Sequence, residues 1–516
     1  KNPKRALEYV SFYIWFQMFT GLIQITGIAF YIFYFMPPNT AHLMWIFLIY
    51  STVQYPGMLD ILKSVLKSYQ HFSKYIIVAF IQDTVFQIAT QVLFILLGSY
   101  IGGLNPAIGS LMGMSIGLVI GLYLDDFLAF LFAAKLFDNI LKYIGFRASD
   151  ALRPNFSRGV ALESLKYGLK TMPSQLYGTL LGFFGFLITF AYLPQYATWI
   201  ALLSLADTFT THISIASPIS DHTEFSVSEA YHNGKMNLCR YHVAQSMKWR
   251  FFVDMFFGLV IVIAIPAILD SLLDIFGENW LLAIPLFPIT ALPQFINIFK
   301  KPVSFTKLGK PLYDQVLGVV FATASFLWYL FLIYLVNYNL NIYIFALKDI
   351  PILLIRMLVE WILVDRKMFK IKPKNFALQV YIIPIIPLVL SGLFLYAYSI
   401  LVFPLGATLL GPIPFAIISA VIALFFLPSI LLCPLMGFFG CWDKYTIETM
   451  REAVPLCGPS KFVLGMMYKA TVYFYKLSPF KGKFKIKGSK LAIQEASDLE
   501  NEKMERDFKN IKAKTN

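Results

Sequence analysis

Twelve apolar stretches, each long enough to cross a bilayer, constrain this chain more than any other feature of its sequence. A helix needs roughly 20 predominantly apolar residues to cross the hydrocarbon core. Stretches that satisfy this run over residues 10–36, 42–62, 75–98, 107–134, 169–192 and 197–219. Six more cover 250–272, 279–299, 313–336, 342–364, 376–402 and 408–440. The expected fold is an all-α polytopic membrane protein.

The connections test this count, because Arg and Lys gather in the cytoplasmic loops and so should fill alternate ones. Lys1, Lys4 and Arg5 come first, and residues 37–40 carry no basic side chain. Lys63, Lys67 and Lys74 follow, and 98–106 is again free of them. The long connection from Lys135 to Lys170 has seven basic residues, and 192–196 has none. Lys235, Arg240, Lys248 and Arg250 precede an acidic loop with Asp270, Asp274 and Glu278. Lys300, Lys301, Lys307 and Lys310 precede the uncharged 337–341. Arg366, Lys367, Lys370, Lys372 and Lys374 precede 404–407, which lacks charge, and the tail is basic again. Strict alternation places both termini on the cytoplasmic side of the plasma membrane.

Composition agrees. Only 14% of residues are charged and 58% are hydrophobic, whereas soluble chains carry about 25% charged residues. The net charge of +14 lies in short clusters between apolar runs, which orients a membrane protein and argues against a nucleic-acid partner. Cys239, Cys433, Cys441 and Cys457 have no metal-ligand spacing and fall on the cytoplasmic side, where free thiols are expected. There is no signal-peptide pattern. After the last stretch, 441–477 mixes aromatic and basic residues as interfacial helices do. From Lys481 the tail is expected to be flexible or a solvated helix.

Several polar groups interrupt the apolar runs. Gly109, Gly113, Gly117 and Gly121, spaced by four, form a stripe that suits close helix packing. Asp83, Gln87 and Gln91 share one face of the third stretch. The sixth holds Asp207, Thr208, Thr210, Thr211, His212, Ser214 and Ser217. A segment so polar is costly against lipid, so it faces a wet cavity or satisfied interhelical hydrogen bonds. In the tenth stretch, Asp349, Arg356 and Glu360 fall within about 40° of one another at 100° per residue. Arg356 and Glu360 are either a self-neutralising pair or part of an anion site, where a planar guanidinium suits phosphate. Lys348 lies near the outer end and can snorkel. Asp125, Asp126 and Asp254 lie toward cytoplasmic ends and read as interfacial.

No catalytic constellation is present: the histidines have no metal spacing, and there is no P-loop and no nucleophile elbow. The outer loops are too short for a catalytic domain. A transporter that is not an enzyme, with no metal and no cofactor beyond a coupling proton or sodium ion, is what remains.

Residues 218–248 carry a local pattern. Pro218-Ile219-Ser220 is followed by Ser228-Glu229-Ala230-Tyr231-His232-Asn233-Gly234-Lys235, then Leu238, Tyr241, Ala244 and Lys248. This resembles the P-x-S…SEAY-x-NGK-x-x-L-x-x-Y pattern of prokaryotic polysaccharide exporters, the O-antigen-type flippases of the multidrug/oligosaccharidyl-lipid/polysaccharide (MOP) superfamily. Residues 15–24 and Tyr55-Pro56-Gly57 look like archaeal members. The resemblance implies two six-helix lobes, often with two extra spans, that rock by alternating access around a central hydrophilic cavity. It implies export of a polyprenyl-phosphate- or pyrophosphate-linked oligosaccharide to the outer leaflet. The expected divisions are an N-lobe (1–134), an interlobe connection (135–168), a C-lobe (169–364), two extra spans (365–440) and a cytoplasmic tail (441–516). Four spans in the first lobe imply two more upstream of Lys1.

In this frame Arg356 meets the phosphate, and Lys348 is a cavity substrate-binding residue. Asp83, Gln87, Gln91, Asp207 and His212 line the cavity, and Asp207, His212 or Glu360 couples a cation. Membrane lipids and glycosyltransferases or a polymerase of the same pathway are the expected partners. A cation-coupled multidrug exporter of the same superfamily is the nearest alternative. A non-transporting membrane scaffold, or a subunit of a glycan-assembly complex, is the second.

Overall fold

The computed structural model describes residues 3–35, 59–68, 71–106, 109–142, 145–214, 216–266, 282–338, 342–456 and 461–515. These residues are almost entirely helical, with no strand among them. Among the described residues five helices are long and apolar enough to cross a membrane: Lys4–Phe35, Met112–Lys142, Pro173–Tyr192, Pro311–Asn337 and Leu378–Leu410. Their most apolar windows are only 11% to 39% buried by protein. The remaining leucine and phenylalanine surface therefore faces outward, as lipid-facing helices require.

Five such helices replace the twelve expected, and the reasons are local. Residues 197–219 break into helix, a 3₁₀ turn at Thr211–Ser214 and a second helix. Residues 408–440 break at Gly411, whose φ is +86°. In 342–364 an α-helix begins only at Ile350 and carries Arg356 and Glu360. Most of 42–62, and the 267–281 part of the two stretches around it, lie outside the described residues.

The wide turns have a common cause. Six π-helical turns occur among the described residues: Ile81–Phe86, Val260–Ala264, Leu378–Ile382, Tyr398–Val402, Ile422–Phe426 and Pro428–Leu432. A proline ring clashes with the carbonyl four residues earlier and cannot donate to it. For Pro266, Pro384, Pro404, Pro428 and Pro434 that carbonyl belongs to Val262, Val380, Ile400, Leu424 and Ile430. Each of the five lies inside a π turn, where the wider winding accommodates the ring. Ile81–Phe86 is the one turn with no proline to explain it, and it holds Gln82 and Asp83.

The chain forms two compact units, 1–170 and 171–516. The first contains α1 (Pro3–Phe35), α2 (Ile61–Ser68), α3 (Phe72–Phe80), α4 (Gln87–Leu104), α5 (Gly109–Lys142), α6 (Ala148–Leu152) and α7 (Arg158–Thr171). Apolar residues at helical spacing on α2 (Ile61, Leu62, Val65 and Leu66) are buried with Leu7, Val10 and Ile14 of α1 and Phe137 of α5. The connection toward the second unit is pinned to α1. Trp15 Nε1 donates to the Leu152 carbonyl at 3.0 Å, Ser11 Oγ donates to the Arg153 carbonyl, and Arg5 pairs with Glu163 at 2.9 Å.

The glycine stripe of α5 meets a second one on α4. A Cβ on Gly113 would collide with the Gly98 carbonyl, and one on Gly117 with the Phe94 carbonyl. At Gly121 it would meet Gln91 Cα at 2.8 Å. The two backbones touch through missing side chains. Gly109 differs: it opens α5 at φ +75° with nothing near its Cβ position.

The second unit contains α8 (Pro173–Tyr192), α9 (Tyr196–Thr210), α10 (Ser217–His232), α11 (Met236–Leu259), α12 (Leu286–Ile298), α13 (Pro311–Asn337) and α14 (Ile350–Lys367). It continues through α15 (Ile383–Ala397), α16 (Phe403–Leu410), α17 (Pro412–Val421), α18 (Cys433–Phe438), α19 (Lys444–Ala453), α20 (Lys461–Leu477) and α21 (Ser489–Thr515). Helix α11 is its central post: Leu238, Cys239, Val243, Ala244, Met247 and Phe251 are all buried. Helix α20 packs on α18 where Gly437 admits the Thr471 carbonyl, 2.9 Å from where a Cβ would sit.

The charged tail is not solvated along its length. Helix α21 docks on α11 through Ala492 and Leu499, both buried. Glu495 accepts hydrogen bonds from the Leu238 backbone N–H and from Asn237 Nδ2, both at 2.7 Å. That N–H lies in the first turn of α11 and has no partner within its own helix, so Glu495 caps α11 from a distant segment. Lys235 pairs with Glu502 at 3.1 Å, and Glu229 with Lys503 at 2.8 Å. The 27-residue α21 scores as polar by sequence, and only its two buried apolar positions mark the docking face. Amides of 492–504 are therefore expected to exchange at least tenfold slower than those of an undocked helix, read by hydrogen–deuterium exchange. Glu495→Ala should remove much of that protection. Fast exchange across the segment in the intact protein would refute docking.

Candidate functional site

The second unit holds a polar cleft of about 800 Å³ between α8, α12, α13 and α14. Ser174, Gln175 and Thr179 contribute from α8, Asn297 from the carboxyl end of α12, Asp314 and Ser325 from α13, and Asp349 and Arg356 from α14 and its N-cap. Its geometry follows from close packing of α8 on α13. Gly318 on α13 leaves room for Ser174, whose Cβ would lie 2.7 Å from an added Cβ. Gln315 fastens the start of α8, accepting from Ser174 N at 2.9 Å and donating to the Thr171 carbonyl at 2.7 Å.

Charges in the cleft are unequally committed. Asp314 accepts from Thr306 N at 2.7 Å and from Thr306 Oγ1 at 2.5 Å, so it braces the preceding turn. Arg356 donates through Nε to Glu360 Oε1 at 2.9 Å. Its side chain remains 45% exposed, against 17% for Glu360. The two terminal guanidinium nitrogens have no further partner among the described residues. The sequence left open whether Arg356 and Glu360 form an ion pair or an anion site, and the geometry combines both: one edge of the guanidinium is paired and its terminal fork is free.

A second groove of about 360 Å³ adjoins the cleft, with Gly178, Ala322 and Ser325 lining both. Leu181, Phe186, Ile200 and Phe326 line it with Gly182, Gly185, Thr189, Tyr196 and Tyr329, so this groove is mainly apolar. Gly178, Gly182 and Gly185 carry no side chain to fill it. Polar cleft and apolar groove together make one amphipathic surface.

The other sequence candidates are dispersed. Lys348 sits 5.9 Å from the Phe345 ring centroid, and Asp207 feels the charges of Lys348 and Asp349. The backbone of His212 lies in the 3₁₀ turn that breaks the sixth stretch, and its side chain falls outside the described residues. The same holds for the side chains of Asp83 and Pro218. Ser220 is buried, with no partner for its hydroxyl among the described residues. Gly234 turns the chain at φ +72° between α10 and α11, and Asn233 Nδ2 donates to the Glu229 carbonyl at 2.8 Å. The resembling motif Glu229–Lys235 is therefore a helical-hairpin turn clasped by α21.

In the first unit, Gln82 is the polar residue that organises its surroundings. Its side chain accepts from Lys63 Nζ at 2.7 Å and donates to Asp126 Oδ1 at 2.6 Å. Asp125 beside it is buried, with Gln91 as a hydrogen-bonding neighbour. Asp125 and Asp126 read as interfacial by sequence, yet they are enclosed by α4, α5 and the π turn. Gln87 is half-buried on the same helix. Asp254 is likewise fully buried: it accepts from Ala216 N at 2.9 Å and faces Arg250 at 3.5 Å, holding the broken sixth stretch in place. Ala216 was not legible as a partner in sequence, because it lies 38 residues away, whereas Arg250 is one turn away on the same helix.

Among the described residues no group of His, Cys, Asp or Glu is arranged to hold a metal ion. Cys239, Cys433 and Cys441 are buried and free, and Cys457 lies outside the described residues. Burial pushes the Cys239 thiol up to about 12, so it is inert at neutral pH. No protein-family model, no curated protein and no solved structure matches this chain.

Proposed function

We propose that the protein is a flippase that moves a lipid-linked oligosaccharide, carried on a polyprenyl phosphate or pyrophosphate, toward the outer leaflet by alternating access. The observation that carries this is the amphipathic surface of the second unit. A cleft with a free arginine fork suits a phosphate and its attached glycan, and the apolar groove that shares its wall suits a hydrocarbon tail. Serine, threonine, glutamine and asparagine side chains in the cleft offer the donors and acceptors that sugar hydroxyls need. In this reading the interrupted helices also cross the bilayer and complete a MOP-type two-lobe bundle with both termini cytoplasmic. Their polar breaks then face protein rather than lipid. Asp207, His212 and Glu360 are the coupling candidates for a proton or sodium ion.

The multidrug-exporter alternative needs a site for cationic ligands, and the free fork of Arg356 works against it. The test is flipping of a fluorescent lipid-linked oligosaccharide in liposomes. Arg356→Ala is expected to slow transport at least tenfold, Arg356→Lys to retain part of it, and Glu360→Gln to retain most. Full transport by Arg356→Ala, or equal losses in Arg356→Ala and Glu360→Gln, would reduce the arginine to an ion-pair partner and sink this reading.

A further inference from the structure

On the second unit, remote in sequence from the cleft, a smaller pocket of about 290 Å³ lies between α11, the segment leading into the Leu378–Leu410 span, and the turn before α21. Arg240, Lys372 and Lys487 line it with Asn237 and Tyr241. Four other lysines of the second unit face carboxylates. Lys235 pairs with Glu502, Lys248 faces Asp443, Lys301 pairs with Asp365, and Lys307 with Glu224. The three cations of the pocket have no carboxylate within ion-pair distance among the described residues.

The geometry around them suits an anion. Arg240 is held in place by a bond from Nε to the Lys370 carbonyl at 2.9 Å and one from Nη1 to Asn237 Oδ1 at 3.1 Å. The Tyr241 hydroxyl accepts from Gln245 Nε2 at 2.9 Å, which leaves its own proton to donate. Glu495, the nearest acidic group on α21, is spent on the Leu238 N–H and Asn237. Gly488 lines the pocket at φ +88° and leads directly into α21, whose positive dipole end adds to the field. Phe376 closes one wall only two residues before the span begins at Leu378, so the pocket opens close to the height of lipid headgroups.

We propose that Arg240, Lys372 and Lys487 form a phosphate-binding site. It takes a phosphate group presented either by an anionic lipid headgroup or by a soluble phosphate compound. An arginine fork with two flexible ammonium groups matches the charge and oxygens of a phosphomonoester better than a carboxylate. The site shares no residue with the amphipathic cleft and does not depend on how that cleft is used.

The full chain, purified in neutral detergent, would be titrated with short-chain phosphatidic acid in one arm and with inorganic phosphate and pyrophosphate in the other. Saturable binding is expected in at least one arm, and the Lys372→Gln/Lys487→Gln double variant should weaken it at least tenfold. Both lysines are exposed, so folding is unaffected. The charge-matched pair Lys469→Gln/Lys476→Gln on α20 should leave binding within twofold of the parent. Binding of phosphatidic acid alone identifies a headgroup site, and binding of the soluble ions identifies a general phosphate site. No saturable binding in either arm, or equal losses in the two double variants, overturns the proposal.

Discussion

Gly117→Val is expected to destabilise the first unit by about 3 kcal/mol, the upper end of what overpacking costs. The reason is which atoms a new Cβ would meet. It would collide with the Phe94 carbonyl oxygen and lie 2.7 Å from the carbonyl carbon and 3.3 Å from Ile95 N, all backbone atoms of α4. A side chain can rotate out of the way, but a helix backbone cannot. Helices α4 and α5 would have to separate, and the close approaches at Gly98, Gly102, Gly113 and Gly121 would be lost together. The control lies on the partner helix, α4. Gly103 has nothing within 4 Å of its Cβ position, and Gly103→Ala should be neutral or stabilising by up to about 1 kcal/mol, because alanine loses less backbone entropy. Thermal unfolding in detergent compares the two. If Gly117→Val melts with Gly103→Ala, the stripe is not a packing surface.

Lys248→Met should cost about 3 kcal/mol for a different reason. Lys248 is buried, donating from Nζ to Thr446 Oγ1 at 2.9 Å, with Asp443 at 3.9 Å and the Trp442 ring centroid at 5.3 Å. Burial lowers the lysine's pKa. Burial also works to raise that of Asp443, yet the ammonium and the bonds from Thr446 hold the carboxyl below its ordinary range. Removing one member leaves the other charge uncompensated, which costs several kcal/mol, whereas removing both leaves no charge stranded. Lys248→Met/Asp443→Leu should therefore be more stable than either single variant predicts by addition.

The pH dependence carries a sign. In the native protein the carboxyl is depressed, so its contribution is present at neutral pH and lost as pH falls through the folded value. In Lys248→Met the lowering by the ammonium is lost, so the carboxyl rises, with burial raising it against the bonds from Thr446 and Gln379 that remain. That variant should lose less stability than the parent as pH falls below neutral, because protonation relieves a buried charge that no longer has its cation. An additive double-mutant cycle would show that the two groups do not interact.

These two sites differ in how far the sequence announced them. The glycines of α5 repeat every four residues, and that period on a helix is already a face. Their partners Gly98 and Gly102 were not singled out, because two glycines one turn apart at a helix end are also a common way to stop one. Lys248 sat among basic residues of a cytoplasmic loop and read as an orienting charge. Its partner is nearly two hundred residues away, and no local pattern links them.

The same division runs through the candidate site. Arg356 and Glu360 were legible as a pair because they are four residues apart on one helix. Ser174, Gln175, Thr179 and Ser325 were not, since isolated small polar residues in apolar helices ordinarily bond to their own backbone. The π turns were only partly foreseeable: five hold a carbonyl that a proline displaces, but Pro293 and Pro387 lie inside α-helices without such a turn. The turn at Ile81–Phe86 was not foreseeable, having no proline.

By itself, the sequence determined that the protein is helical and apolar on its outer surface, through run length and composition. It also gave the helix faces that glycine and charge occupy, through the 3.6-residue period. These are local properties, set by a residue and its neighbours within a few turns. Tertiary structure decided how many helices run uninterrupted, since breaks depend on what a polar turn can bond to, as Ala216 does to Asp254. It decided that the charged tail docks, because Glu495 satisfies an N–H that α11 cannot satisfy itself. It also gave Arg356 a free fork, since only the packing of α8 against α13 opens the cleft in front of it.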